Sequence, residues 1–265
     1  MSAEYDGIAD VYDQTRRALD AETAGGLSAF LLSHGCETLL EIGVGTGRVS
    51  VPLMEAGREV VGVDVSRRMM ERARSKGLPN LLLADGTRTP FRDGSFDAVL
   101  LAHVLHIVED PMALLREGAR VGKVGVFALL RKGSGDRGEG PLSWSGSSAP
   151  EWDRRRAWFV ELAKKYDWPV QGRVPRDWSR EPRLLESNPP DELVEVSDAV
   201  VTDTVEARVE RIRKGAYGFM AGMPLEMREE IAAEVRSRAS LAPATPVHLV
   251  HQVAFWRPAK FPPRG

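Results

Sequence analysis

Residues 39–48 read LLEIGVGTGR, an apolar run that passes straight into three glycines at 43, 45 and 47. A buried strand ending in such a loop, with a helix after it, lets a ligand lie across the strand's carboxyl end. Missing side chains allow the backbone to approach the ligand, and helix N–H groups face it. A tight strand–helix turn would use the same glycines, so the loop alone decides little. Its spacing decides more: the dinucleotide fingerprint G-x-G-x-x-G puts its third glycine at 48, where this chain has Arg48.

Outward from the loop, apolar runs alternate with amphipathic stretches. Strands are predicted near 38–42, 59–63, 80–84, 96–101 and 124–130, and helices near 18–33, 47–56, 66–76 and 110–118. This βα rhythm predicts a parallel sheet covered on both faces. Ser66 is placed to cap the helix after the second strand. That strand ends at Asp64, whose carboxylate can take two hydrogen bonds from the vicinal hydroxyls of a ribose or can cap the next helix. Together with the glycine loop, the ribose reading is preferred. Asp85 ends the third strand, where it can accept from an adenine amine or form an Asp-Gly turn, two roles that are compatible. Asp97, entering the fourth strand, reads as structural.

Composition narrows the classes. The 265 residues carry 36 Lys and Arg against 38 Asp and Glu, a net charge of −2 that gives no reason to expect a nucleic acid or an acidic membrane as main partner. The single cysteine, Cys36, precludes an intrachain disulfide and a cysteine-built metal cage. The longest apolar stretch, 98–108, is interrupted by His103 and His106 and is far short of the ~20 residues of a membrane span. A cytoplasmic protein is expected.

The second half differs. Residues 132–149 are rich in Gly and Ser and read as a loop. A helix follows, with Pro150 in its first turn and Trp152, Phe159, Leu162 and Tyr166 on one face. Five of the six tryptophans fall between 144 and 178, either as walls for an apolar acceptor or as the core of that segment. The run Arg154, Arg155, Arg156 reads as a solvated face rather than a trap for an anion. A short helix at 180–187, a strand near 192–202, helices near 205–214 and 225–239 and a last strand at 247–256 complete the chain.

Five segments in order resemble the Rossmann-like S-adenosylmethionine-dependent methyltransferases, nearest to the small-molecule branch that includes the ubiquinone and menaquinone biosynthesis enzymes. They are YDGIADVYD, LLEIGVGTGR, VVGVDVSRRMM, LLLADGTRTPFRDGSFDAVL and LAHVLHIVEDP, although Thr89 replaces the family's usual leucine. The resemblance covers about residues 5–130. It implies an α/β fold: a doubly wound, mostly parallel seven-stranded sheet with helices on both faces and a helical lid. Residues 1–131 would form the cofactor-binding core and 132–190 the loop and Trp-rich lid. Residues 191–265 would supply the last two strands, with a helical pair inserted at 205–240.

The resemblance also implies roles. Glu41, Gly43 and Gly45 would hold the methionine moiety of S-adenosylmethionine and Asp64 its ribose. Val65 and Met69 would pack near the adenine, and Asp85, aided by the Gly86 backbone, would receive its amine. His103 would sit beside the cofactor, Tyr12 would close over it and Arg16 would pair with its carboxylate. The acceptor would be a small molecule. A nucleic-acid substrate is disfavoured, because AHVL stands where adenine-amine methylases resemble an Asp/Asn-Pro-Pro-aromatic tetrad, and Cys36 precedes the first strand. His103, His106 and Tyr12 are candidate bases, although a sulfonium methyl needs none when the nucleophile is strong. A non-catalytic cofactor-binding protein stays open. A nicotinamide oxidoreductase is the weaker alternative, lacking both the fingerprint and a Tyr-x-x-x-Lys pair. Neither the acceptor atom nor the oligomeric state is legible.

Overall fold

A computed structural model of the chain describes residues 5–15, 18–131, 149–170, 180–202, 204–239 and 246–261. Seven strands form one sheet: β1 (Thr38–Ile42), β2 (Glu59–Asp64), β3 (Leu81–Leu83), β4 (Phe96–Ala102), β5 (Gly122–Arg131), β6 (Glu192–Thr202) and β7 (Pro246–Trp256), in the order β3-β2-β1-β4-β5-β7-β6. All neighbours run parallel except β7, which is antiparallel to both β5 and β6. The chain winds outward from β1 through β2 to β3, then returns to lay β4 against the other side of β1. The carboxyl ends of β1 and β4 therefore border the topological switch point, where open α/β sheets leave a crevice.

The helices are α1 (Ala9–Thr15), α2 (Ala21–Ser33), α3 (Ser50–Glu55), α4 (Arg67–Ser75), α5 (Pro111–Val121), α6 (Ala149–Lys165), α7 (Arg180–Ser187), α8 (Val205–Arg213) and α9 (Leu225–Ala239). Two helix starts differ from the sequence expectation by three residues, for local reasons. α2 starts at Ala21 because Asp20 caps it, accepting from the Thr23 N–H at 2.8 Å. α3 starts at Ser50 rather than 47 because Gly45 and Gly47 hold φ of +54° and +76°, which carries the loop further before the helix can begin. The Ser66 cap is present, with its hydroxyl accepting from the Met69 N–H.

Both sheet faces are covered, and alternation along each strand divides the core. Leu39, Leu100, Phe127 and Phe255 pack with Leu27 and Leu31 of α2 and Leu53 of α3. Their chain neighbours Leu40, Leu101, Ala128 and Trp256 pack on the other side with Leu114 and Leu115 of α5. Phe159, Leu162, Trp168, Val209, Ile212, Met227 and Ile231 form a separate cluster joining α6, α8 and α9. Trp168 therefore serves the core of the helical addition. Trp144 and Trp178, residues 132–148, and the side chains of Pro150, Trp152 and Arg154 to Arg156 lie outside the described part. No described helix is long and apolar enough to cross a membrane.

Asp97 is structural, accepting from the N–H groups of Glu37 and Thr38 and from the Thr38 hydroxyl. Thr89 also has its explanation. It is buried, and both its N–H (2.7 Å) and its hydroxyl (2.6 Å) donate to Glu117 on α5, which Arg120 also grips. Burial opposes the charge of Glu117, but Arg120 and Thr89 prevail and hold its pKa below the ordinary range. Glu117→Ala would strand a buried N–H and hydroxyl, so urea unfolding is expected to show a loss of about 2 kcal/mol.

Candidate active site

A cavity of about 520 Å³ opens at the carboxyl ends of β1, β2 and β4, at the switch point. Ten of the eleven residues singled out from the sequence line it: Tyr12, Glu41, Gly43, Gly45, Asp64, Val65, Met69, Asp85, Gly86 and His103. The eleventh, Arg16, lies outside the described residues.

The glycine loop is shaped by contacts that exclude side chains. Gly43 has φ +81°, and a Cβ there would stand 2.9 Å from Val104 Cγ2, so the β1 and β4 ends could not approach with any larger residue. A Cβ on Gly86 would meet Ile42 Cγ2 at 2.2 Å. Nothing lies within 4 Å of the Cβ position at Gly45, which leaves open space on the loop. Asp64 ties the pieces together: Oδ2 accepts from the Gly45 N–H and Oδ1 from the Ser66 N–H, each at 2.8 Å. Its carboxylate thus braces the start of α4 and the glycine loop at once. A carboxylate has about four lone-pair sites, so acceptor capacity remains. Burial raises the Asp64 pKa, partly offset by these N–H groups.

Glu41, on β1, is buried at 2% exposure and accepts a hydrogen bond from the Ser50 hydroxyl. Burial pushes its pKa up to about 8, against the Ser50 hydrogen bond, and the neighbouring Asp64 charge adds to the rise. The acid at the floor of the cavity is therefore mostly protonated at pH 7. Asp85 makes the expected turn, its Oδ1 accepting from the Thr87 N–H and hydroxyl at 2.8 Å each.

The amino-terminal segment is strapped across the mouth. Asp6 accepts from the Ser66 hydroxyl at 2.6 Å, Asp10 pairs with Arg68 and Arg72, and Asp13 reaches both the Thr46 hydroxyl and Lys76 at 2.6 Å. Acids spaced one helical turn apart meet bases at 68, 72 and 76, which are spaced the same way along and just beyond α4. The strap sets the Tyr5 and Tyr12 rings edge to face at 6.4 Å, and both line the cavity.

His103 follows β4 with φ +54°, unusual for a residue with a side chain. Burial, then the charges of Arg131 and Arg48, hold its pKa well below the ordinary histidine range, so the ring is neutral. His106 is not on the cavity. It is buried, with Nδ1 3.7 Å from Glu181 on α7. Sequence reasoning missed Tyr5, Thr46 and Arg48 on the lining. Thr46 and Arg48 were within the glycine motif, and Tyr5 within YDGIADVYD, so both places were marked but the side chains were not. The described lining ends at Leu114, and no described residue of α6 to α9 contributes to it.

Residues 40–130 match the family model of a methyltransferase domain. The demethylmenaquinone methyltransferase of Corynebacterium efficiens is 32% identical over 129 residues, which cover 47% of this chain and 56% of that protein. That of Mycolicibacterium gilvum is 33% identical over a similar span. The chain thus spans about half the length of these relatives. Among solved structures, a methyltransferase dependent on S-adenosylmethionine from Thermotoga maritima has a TM-score of 0.53 at 17% identity, over 97% of this chain and 100% of that one. The phosphoethanolamine N-methyltransferase 2 of Haemonchus contortus, solved with S-adenosylmethionine, gives 0.53 at 16%, over 95% and 57%. These likenesses establish the fold, and the match to a methyltransferase domain falls on the strands that build the cavity.

Proposed function

We propose that this chain transfers the methyl group of S-adenosylmethionine to a small organic acceptor by in-line displacement. The observation that carries the reading is the convergence of Asp64, Glu41 and the glycine loop on one cavity at the β1–β4 switch point. The residues fit the cofactor. The volume suits a small ligand, the loop leaves space at Gly45, and acids stand where a sugar and an ammonium can each be held.

In this reading the bound cofactor supplies a methyl on a positively charged sulfur, an electrophile that needs no further activation. Asp64 would use its remaining lone pairs to accept from the ribose hydroxyls, and Asp85 and the Gly86 backbone would receive the adenine amine, with Val65 and Met69 packing near that ring. Glu41 faces the ammonium, with Gly43 and Gly45 alongside, and Arg16 is assigned the carboxylate. Tyr12 closes the mouth and excludes water. The neutral His103 imidazole is placed to accept a proton from a weak nucleophile such as a phenol or an activated carbon. The helical additions act as a lid. Support for that comes from Ala221, between α8 and α9, which packs with Ile8, Ala9 and Met69 at the strap.

The balanced charge favours a small acceptor in the cytoplasm over a nucleic acid or a membrane surface. The relatives' names make a quinone precursor the first acceptor to try. Calorimetry with S-adenosylhomocysteine is expected to give a dissociation constant of about micromolar order, near −8 kcal/mol. Mass spectrometry of the freshly purified, denatured protein is expected to find the same nucleoside. Absence of both would overturn the reading.

A further inference from the structure

A row of polar side chains, buried beyond its exposed first member Asp20, runs from the start of α2 to the cavity wall. Asp20 Oδ2 accepts from the Thr23 hydroxyl at 2.7 Å. Thr23 Oγ1 lies 2.7 Å from Ser197 Oγ on β6, and Ser197 Oγ lies 3.1 Å from Nδ1 of His251 on β7. A longer contact of 3.4 Å joins Thr23 directly to the same nitrogen. Thr23, Ser197 and His251 are all buried. The His251 ring stands edge-on to that of His103, with centroids 5.8 Å apart at 60°. His103 lines the cavity; His251 does not.

The direction of this chain is set at one end. A carboxylate only accepts. Burial works against the Asp20 charge, but the Thr23 hydrogen bonds outweigh it and hold the pKa below the usual value. Thr23 therefore gives its only hydroxyl proton to Asp20 and must accept from Ser197. Ser197, its proton committed, must accept from His251. His251 is neutral, since burial first and then the charge of Arg131 pull its pKa to about 4. A neutral ring that donates from Nδ1 has a bare Nε2. The charged and titratable groups around the two rings are Asp20, the cap of α2, Arg131 on β5, opposite His251 in register, Arg48 of the glycine loop, and His106 three residues beyond His103. None of these requires the opposite tautomer.

We propose that His251 is a positioning residue for His103: the Asp20–Thr23–Ser197 chain keeps its Nε2 bare, to accept from one ring N–H of His103 and so leave the other His103 nitrogen unprotonated toward the cavity. No hydrogen bond joins the two rings as they stand; with centroids 5.8 Å apart, a modest turn of the His103 ring would bring one of its nitrogens within reach of His251 Nε2. The left-handed backbone of His103 fixes where its ring starts from. A proton taken from the acceptor as it attacks the methyl carbon would then rest on the cavity-facing nitrogen, while the opposite N–H keeps its bond to His251. This role rests on the methyl-transfer reading of the cavity; the tautomers themselves do not.

Nitrogen-15 imidazole NMR on the full, ligand-free chain tests it, and five histidines make the spectrum assignable. At pH 7 the expected wild-type pattern is one tautomer at each ring, with His251 protonated at Nδ1. Ser197→Ala should make His251 a mixture of tautomers, and His251→Phe, which keeps a ring but removes the nitrogens, should do so for His103. Thr23→Val provides a second break in the chain should His251→Phe fail to fold. A proton on Nε2 of wild-type His251, or a His103 pattern unchanged when the chain or His251 is altered, would overturn the assignment. Calorimetry with S-adenosylhomocysteine on the same samples separates the two levels. Intact tautomers without binding would remove the methyl-transfer reading, whereas binding with scrambled tautomers would remove only the role of His251.

Discussion

Asp64→Ala should weaken S-adenosylhomocysteine binding by roughly 100- to 10,000-fold. Hydrogen bonds to a charged group contribute about 1.5–3 kcal/mol each, and the proposed ribose contact has two of them. The side chain also braces the protein, through the Gly45 and Ser66 N–H groups, so a simple loss of affinity has two possible origins. A double-mutant cycle separates them. In the wild type, a ligand lacking the ribose 2′-hydroxyl should bind about tenfold more weakly. In Asp64→Ala the same deletion should make no further difference, because the partner is already gone. Equal penalties in both proteins would mean that Asp64 acts only on the loop, and the ribose assignment would fall. Asp64→Asn, which keeps one acceptor oxygen but has no charge, should lie between the two.

That such an experiment can be designed at all depends on what short sequence windows encode. Leu39, Leu40 and Ile42, and Val60, Val61 and Val63, are apolar runs between turn signals, and both became strands where expected. The Ser66 cap was legible because capping is a contact across three residues. So was the cavity's acid set, since parallel strands bring their carboxyl ends together whatever lies between them. What escaped notice is what depends on remote pairing. His106 sits in the same LAHVLHIV stretch as His103, but α7, more than seventy residues later, brings Glu181 over it and takes it off the cavity. The link between Thr23, Ser197 and His251 spans three segments that only the finished sheet aligns. The start of α3 was misplaced for a subtler reason: three glycines signal a loop, but only their left-handed backbone shows how far it runs.

Glu41→Gln is expected to stabilise the fold while impairing the site. In the folded protein burial holds the Glu41 pKa at about 8, against an ordinary value of 4.5. The sign follows from proton uptake. Below pH 4.5 the folded and unfolded states are both protonated, and the group has no effect on the balance. As pH rises between 4.5 and 8, the unfolded chain releases the proton and the folded one keeps it, so stability falls. At about 1.4 kcal/mol per pH unit, the wild type has lost on the order of 3 kcal/mol by pH 7. Glutamine keeps the shape and an acceptor for Ser50 but does not ionise. Its advantage should be near zero at pH 4.5 and grow to roughly 6–10 °C in melting temperature at pH 7. The binding behaviour should run the other way. An ammonium beside Glu41 favours the ionised form, so wild-type affinity for S-adenosylhomocysteine should rise with pH between 5.5 and 7, with proton release detectable in buffers of different ionisation enthalpy. Glu41→Gln should bind more weakly, with that pH dependence lost. A melting difference that is the same at pH 4.5 and 7 would show that Glu41 is ionised throughout. A variant with unchanged affinity would remove it from the ligand's contacts. If both expectations hold, the fold tolerates a buried acid at some cost in stability because the ligand's charge later compensates for it.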